Sequence, residues 1–219
     1  MPMMATNRRS VREQAGKALR SSSLVAAMML SIAWTSTLHA EPRVHDGLYF
    51  QGTIGSGFIG AWQAHGATMR AFSATGSLLV GASPMPGLAL GAGTFGVVGL
   101  APSGKLSAGA SGASLVPPGP RSFSLQVLGV FADYYPDARS GFHVQGVIGY
   151  AQLSAKQSAN ALTTDPAGIG AALGAGEDFW VNDQWSIGWL GRVLYAETSY
   201  DGLHYSSLSP GALLSFTWY

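Results

Sequence analysis

The sequence predicts an all-β protein: an eight-stranded antiparallel up-and-down β-barrel that spans a membrane, preceded by a cleavable signal peptide. Three observations support this prediction. The N-terminal segment has the layout of an export signal, the rest of the chain alternates apolar and small polar residues in short runs, and the connections between those runs alternate between short and long. Charged residues make up only 11% of the 219-residue chain, and 30 residues are glycine, whereas a soluble domain carries about 25% charged residues.

Residues 1–40 form the predicted signal peptide. Five basic residues precede an apolar run over residues 24–34, and Leu38-His39-Ala40 follows before Glu41. This order gives a basic n-region, a short h-region and a small residue at the cleavage point. The apolar run is shorter than the roughly 20 residues that a membrane-spanning helix needs. We therefore expect cleavage after Ala40, with an uncleaved anchor as the alternative.

The remaining residues, 41–219, form one predicted barrel domain and have a composition that excludes several function classes. They contain seven basic and ten acidic residues and no cysteine. No basic patch is left to attract nucleic acid, and no thiolate or disulfide framework is available. The histidines lack metal-ligand spacing, and the glycine-rich runs lack the lysine of a phosphate-binding loop. We expect no cofactor, no metal and no nucleic-acid partner.

Four strands are predicted in the first half of the domain, each with apolar residues at every second position. Phe72 and Leu78 in the second strand, for example, alternate with Ser73 and Ser77. The apolar residues are expected to face lipid and the small polar residues to face the lumen, because successive side chains point to opposite faces of a strand. In the fourth strand this rule assigns Phe123, Leu125, Val127 and Phe131 to lipid and Gln126 to the lumen. The four strands span residues 48–61, 70–82, 88–100 and 123–134.

Four further strands, predicted in the second half, alternate more cleanly. They lie around residues 142–150, 169–179, 185–195 and 210–218. The pattern assigns Ile187, Trp189, Leu214 and Phe216 to lipid, and Gln145, Ser186 and Arg192 to the lumen. Arginine in the middle of a strand is costly on the lipid side, so Arg192 is expected to point inward and to meet a carboxylate, either Asp178 or Glu177.

The predicted connections alternate in length along the chain. The short ones are residues 83–87, 135–141 and 181–184, and the long ones are residues 62–69, 101–121, 153–166 and 197–207. Barrels inserted from the periplasm have short periplasmic turns and longer external loops. A soluble lipocalin-like barrel and a periplasmic β-sandwich are the alternatives, but both need outer faces compatible with water.

The last residues of the sequence continue the strand pattern. Ala212, Leu214, Phe216 and Trp218 form an apolar face that runs to Tyr219. Together with the barrel architecture, this aromatic ending resembles the small bacterial outer-membrane barrels of the OmpA, OmpX and OmpW type. The resemblance implies an outer-membrane location, contact with the lipid bilayer and lipopolysaccharide, and recognition by the outer-membrane assembly machinery. An external ligand of the loops is not identified.

Eight strands enclose an interior just wide enough to be filled by side chains, so we expect a structural, surface-display or narrow solute-passage role without catalysis. Aromatic residues near the strand ends predict the girdles found at both membrane interfaces. The polar residues expected in the lumen are Gln51, Gln126, His143, Gln145, Asp178 and Arg192, and the expected girdle residues are Trp62, Tyr135, Trp180, Trp185, Tyr195, Tyr200 and Trp218.

An enzymatic alternative comes from the tripeptide His204-Tyr205-Ser206. Two residues apart on an extended strand, His204 and Ser206 point to the same face, and the pair resembles the His-x-Ser motif of outer-membrane lipid A deacylases. The resemblance implies Ser206 as nucleophile and His204 as base. The family has asparagine after the serine, where this chain has Ser207, and no acidic residue follows Ser206. Glu197 or Asp201 would have to orient the histidine.

Overall fold

The structure is a computed structural model that describes residues 44–63, 68–104, 107–108, 113–114, 122–156 and 165–219. The predicted signal peptide, residues 1–40, lies outside the described residues, so its cleavage stays a prediction. Within the described part of the chain, no helix is both long and apolar enough to cross a membrane.

Eight long strands form a closed antiparallel barrel, which confirms the predicted fold class. Each strand pairs with its neighbours in the chain, and β1 closes the barrel against β8. A short strand pair, Ser107–Ala108 with Ala113–Ser114, lies between β3 and β4 and forms a separate sheet. The barrel strands are β1 (Gly47–Gln63), β2 (Thr68–Met85), β3 (Leu88–Gly104), β4 (Ser122–Tyr134), β5 (Phe142–Lys156), β6 (Ala167–Trp180), β7 (Trp185–Tyr200) and β8 (Leu203–Trp218).

The pleat separates an apolar outer wall from a mixed interior. Leu173 and Ile148 on the outer wall are 70% and 58% exposed, whereas Gln51 and Asp133 inside the barrel are fully buried. Closure leaves the eight barrel strands without a free edge, so their backbone groups are paired around the barrel, as a membrane-spanning sheet requires. An outer wall of this kind is expected to face lipid rather than water.

Strand β4 has the opposite pleat to the one predicted. Phe123, Leu125, Val127 and Phe131 face the interior, and Gln126 lies exposed on the outer wall. The prediction failed because this strand carries apolar residues on both faces, so apolar alternation alone could not set its phase. Asp133 decides which face of β4 points inward. Its carboxylate is buried inside the barrel, and because side chains alternate along a strand, the residues two, six, eight and ten positions before it also point inward.

The connection predicted over residues 197–207 is instead a two-residue turn. Strands β7 and β8 continue to Tyr200 and from Leu203, and only Asp201 and Gly202 lie between them. Both have positive φ, 49° and 75°, as a type I′ hairpin turn requires, and Asp-Gly is the dipeptide that favours this turn. The polar residues around the turn lie on strands that extend past the apolar band.

Candidate functional site

The interior of the barrel is the candidate site, and its two ends differ in chemistry. We call the end with connections 86–87, 135–141 and 181–184 the short-turn end, and the opposite end the long-loop end. Polar and aromatic side chains fill the short-turn end, a cation lies at mid-height, and large apolar side chains fill the long-loop end.

Asp133 is the centre of a buried hydrogen-bond network at the short-turn end. Its carboxylate accepts hydrogen bonds from Tyr49 Oη at 2.7 Å, from His143 Nδ1 at 2.7 Å and from Gln145 Nε2 at 3.1 Å. Gln145 Nε2 also donates to Gln51 Oε1 at 3.0 Å. The network joins strands β1, β4 and β5 across the lumen. A buried carboxylate needs such donors, because an unpaired one would carry a large desolvation cost.

Asp178 is the centre of a second network at the same end. Ser215 Oγ donates to Oδ1 at 2.7 Å, while Tyr135 Oη, Thr217 Oγ1 and Ser186 Oγ lie 3.1 to 3.3 Å from Oδ2. These contacts connect β6 to β7, to β8 and to the turn after β4. Asp133 thus holds three strands in one fixed arrangement, and Asp178 holds three strands and a turn.

A stack of aromatic rings closes the short-turn end. The His45 imidazole stacks on the Tyr135 ring with 3.7 Å between centroids and meets the Tyr219 ring edge-on at 4.7 Å. His45 Nδ1 donates to the Ala138 carbonyl at 2.8 Å, and Tyr219 Oη donates to Tyr135 Oη at 2.7 Å. Trp180 packs beside His45 at 4.6 Å. The rings fill the space between the turns and the two carboxylate networks.

Burial fixes the protonation of this stack. It lowers the pKa of the His45 imidazole to about 4, because a charged ring would lose its hydration. Burial also raises the pKa of the Tyr135 and Tyr219 phenols well above the ordinary value. All three rings are therefore neutral at neutral pH, and the phenols keep the protons that they donate.

Arg192 lies buried at mid-height without a carboxylate partner among the described residues. Its guanidinium donates to Ser77 Oγ at 3.1 Å and to Thr75 Oγ1 at 3.2 Å, and it lies 5.2 Å from the centroid of the Phe95 ring. The prediction that it meets Asp178 or Glu177 is wrong. Asp178 pairs with Gly188 in the β6–β7 register, four residues or about 13 Å from Arg192 along β7, and Glu177 points outward.

The long-loop end of the interior is packed with large apolar side chains. Its members come from five of the eight strands, and each is at most 1% exposed: Ile59, Met69, Phe123, Leu125, Leu153 and Tyr205. The sequence pattern indicated an interior rich in glycine and serine and missed this plug, because three of its residues belong to or pair with the misassigned strand β4.

Of the residues expected in the lumen, five lie inside the barrel and Gln126 does not. The inward residues are Gln51, His143, Gln145, Asp178 and Arg192, all at most 4% exposed. Sequence reasoning missed Asp133, Tyr49 and Tyr219, which complete the networks. An aspartate inside a strand was the available signal, since a carboxylate has no favourable place on a lipid-facing wall.

Comparison with solved structures supports the fold directly. Neisserial surface protein A superposes with a TM-score of 0.52 at 15% sequence identity, over 77% of this chain and 96% of that protein. This is the fold of a small outer-membrane β-barrel. OprG of Pseudomonas aeruginosa and the attachment invasion locus protein Ail of Yersinia pestis also match, each at 11% identity. OprG gives a TM-score of 0.40 over 82% of this chain and 100% of its own, and Ail gives 0.41 over 78% and 99%. No family model and no curated protein sequence matches the chain.

The residues predicted for the aromatic girdles of this barrel divide into three groups. Trp62, Trp185, Tyr195 and Tyr200 are exposed on the outer wall, all but Tyr195 near a strand end, and Trp180 and Trp218 are half-buried. Tyr135 does not belong to a girdle, because it lies inside the short-turn end. It follows β4 in the chain, and the turn folds its ring inward onto His45.

The residues of the enzymatic alternative lie together on the outer wall near the long-loop end. His204 and Ser206 share the outward face of β8, and Glu197 on β7 is directly opposite Ser206 in the register. The Glu197 carboxylate accepts a hydrogen bond from Tyr195 Oη at 2.6 Å. Among the described residues, no hydrogen bond connects His204 with Ser206 or Glu197. The base of a nucleophile–base–acid relay is thus without its orienting contact.

Proposed function

We propose that the protein is a closed, non-conducting outer-membrane barrel whose role is structural or one of surface display. The observation that carries this proposal is the filled interior: the aromatic stack closes one end, apolar side chains close the other, and Arg192 lies between them. The short turns would face the periplasm and the long loops the exterior, in the orientation of barrels inserted from the periplasm. An eight-stranded barrel leaves little room for solutes once its side chains are in place.

Conductance measurements test the closed lumen. In a planar bilayer, the folded protein should produce no stepwise currents, because no continuous aqueous path crosses two packed ends. If currents are seen, Arg192→Ala tells where they pass. Currents through the lumen should change their ion selectivity when this cation is removed, whereas leakage around the barrel should keep the same selectivity. Stepwise currents whose selectivity depends on Arg192 would contradict the proposal and favour narrow solute passage.

We also propose that residues 1–40 direct export and are then removed. The segment contains five of the twelve basic residues and only one of the eleven acidic ones, which suits an n-region followed by translocation. N-terminal sequencing of the protein from the membrane fraction should return Glu41. A sequence beginning at Met1 would instead support a retained anchor.

The proposal includes no catalysis, and a deacylase assay checks this. Glu197 binds Tyr195, and among the described residues no hydrogen bond joins His204 to Glu197 or Asp201, so the unmodified protein should release no fatty acid from lipopolysaccharide. Ser206→Ala is the matched variant, since it removes only the hydroxyl of the candidate nucleophile. Fatty-acid release that disappears in Ser206→Ala, with the heat-modifiable gel shift unchanged, would establish the enzymatic alternative.

A further inference from the structure

A groove on the outer wall near the long-loop end combines one cation with an apolar floor. Its volume is about 550 Å³, and it is bounded by strands β1, β2, β3 and β8. Arg70 lies along one side and is exposed. Phe58 and Phe72 lie next to it, with their rings in an edge-on contact at 5.5 Å between centroids. The buried residues Ile59 of β1 and Met69 of β2 also border it.

Small residues and a bulge shape the groove. Gly60 pairs with Arg70 across β1 and β2 and supplies no side chain to fill the space beside the guanidinium. On the other side, the β2–β3 register shifts between Arg70 and Phe72, and Ala101 at this irregularity has a φ of 47°. A β-bulge bends its strand and re-aims side chains, and bulges are frequent beside functional sites. Positive φ is uncommon for alanine, so the local geometry is unusual for a plain strand end.

No acidic residue of the neighbouring chain segments neutralises Arg70. Residues 47–132, which include β1, β2, β3 and the connections between them, contain no Asp or Glu, and neither does β8. The outward-facing carboxylate of Glu197 is on β7, three strand spacings or about 14 Å from β2, and it is already bound by Tyr195. Among the described residues, Arg70 therefore has no carboxylate partner on the outer wall.

In the proposed membrane orientation, Arg70 lies near the level of the membrane surface. It is the third residue of β2, so it lies within about 10 Å of the strand end. An arginine there costs only about 0–1 kcal/mol, and the guanidinium is suited to bind phosphate in a bidentate manner. The exposed Trp62 ring beside the groove matches the level of an aromatic girdle.

We propose that this groove binds a phosphorylated lipid of the outer leaflet, with the phosphate on Arg70 and an acyl chain across Phe58 and Phe72. Arg70 lies nearer the strand end than Phe72. In the same way, the phosphate of a membrane lipid lies nearer the membrane surface than its acyl chains. The inference rests on the proposed membrane orientation, in which the long-loop end faces the exterior. The ligand class is the phosphorylated glucosamine lipid that anchors lipopolysaccharide.

Binding to the full-length folded protein in detergent tests the groove. The probe is the acylated glucosamine disaccharide in phosphorylated and dephosphorylated forms. The wild type should bind the phosphorylated form about 10-fold more tightly, since a charge-assisted contact of about 1.4 kcal/mol corresponds to a factor of ten. Arg70→Gln should remove this preference. Arg139→Gln, which removes an exposed arginine at the short-turn end, should keep it.

A second variant tests the cavity without changing charge. A side chain at Gly60 has space, since an added Cβ would meet only the Met69 carbonyl oxygen at 4.0 Å. Gly60→Leu should therefore fold and weaken binding of the phosphorylated lipid several-fold by filling the groove. A water-soluble glucosamine phosphate should bind at least 10-fold more weakly than the lipid, because it gains nothing from the apolar floor.

Three outcomes would overturn the inference: a wild type that does not distinguish the two lipid forms, an Arg70→Gln variant that still does, or equal binding of the soluble phosphosugar. The heat-modifiable gel shift is recorded for every variant in parallel. Its presence with any of these outcomes rejects the lipid site and leaves the barrel function standing. Its absence in the wild type rejects the proposed function and this inference with it.

Discussion

Replacing Asp133 with alanine should lower the free energy of unfolding by about 3–5 kcal/mol, the range observed when one partner of a buried pair is removed. The carboxylate is fully buried and accepts hydrogen bonds from three side chains on two other strands. Without it, the Tyr49 hydroxyl, His143 Nδ1 and one Gln145 donor remain buried with no acceptor. Each such group carries a desolvation cost of about 1–3 kcal/mol.

Urea unfolding of the barrel reconstituted in lipid, followed by tryptophan fluorescence, measures this effect. Asp137→Ala is the matched control, since Asp137 is an exposed carboxylate in the turn after β4 whose contact is the Arg139 amide at 3.0 Å. Its loss should be below about 1 kcal/mol. Asp133→Asn should fall between the two, because it keeps one acceptor oxygen but adds donors facing Gln145. A loss in Asp133→Ala no larger than in Asp137→Ala would show that the network does not hold the interior together.

The same carboxylate shows what the sequence could predict about the fold. Where the inward face of a strand carries a run of small polar residues, as Ser73, Thr75 and Ser77 do in β2, alternation fixes which residues point outward, and the eight-stranded barrel follows from it. Strand β4 is apolar on both faces, and there the choice of face depends on where Asp133 can be satisfied. That depends on His143, 10 residues away on the paired strand β5, and on Tyr49, which is 84 residues away and meets Asp133 only when the barrel closes.

Two other departures have similar physical causes. Arg192 and Asp178 are close in sequence, but strand length separates them along the barrel, so hydroxyls of β2 and the Phe95 ring satisfy the guanidinium instead. The turn at Asp201-Gly202 was predictable from its dipeptide. The polar residues on either side favoured the prediction of a longer loop, although strands that extend past the apolar band carry polar residues too.

Arginine at an outward position in the middle of a strand should destabilise the barrel in a bilayer far more than arginine in a turn. Ile148 lies near the middle of β5 and is 58% exposed on the outer wall. Ile148→Arg should therefore cost about 2–4 kcal/mol, because the guanidinium would lie near the bilayer midplane. The effect arises from lipid, since the position makes no contact with the interior networks.

Val181 supplies the matched control for this substitution. It is 61% exposed in the turn between β6 and β7, outside the strands, so Val181→Arg should cost about 0–1 kcal/mol. Urea titration of folding into lipid vesicles compares the two variants, and repeating it in detergent micelles should narrow the difference, because a micelle adapts its surface to a charge more easily than a bilayer. If Ile148→Arg and Val181→Arg folded with equal stability in vesicles, the outer wall would not be a lipid-facing surface, and the membrane assignment on which the closed-barrel proposal depends would fail.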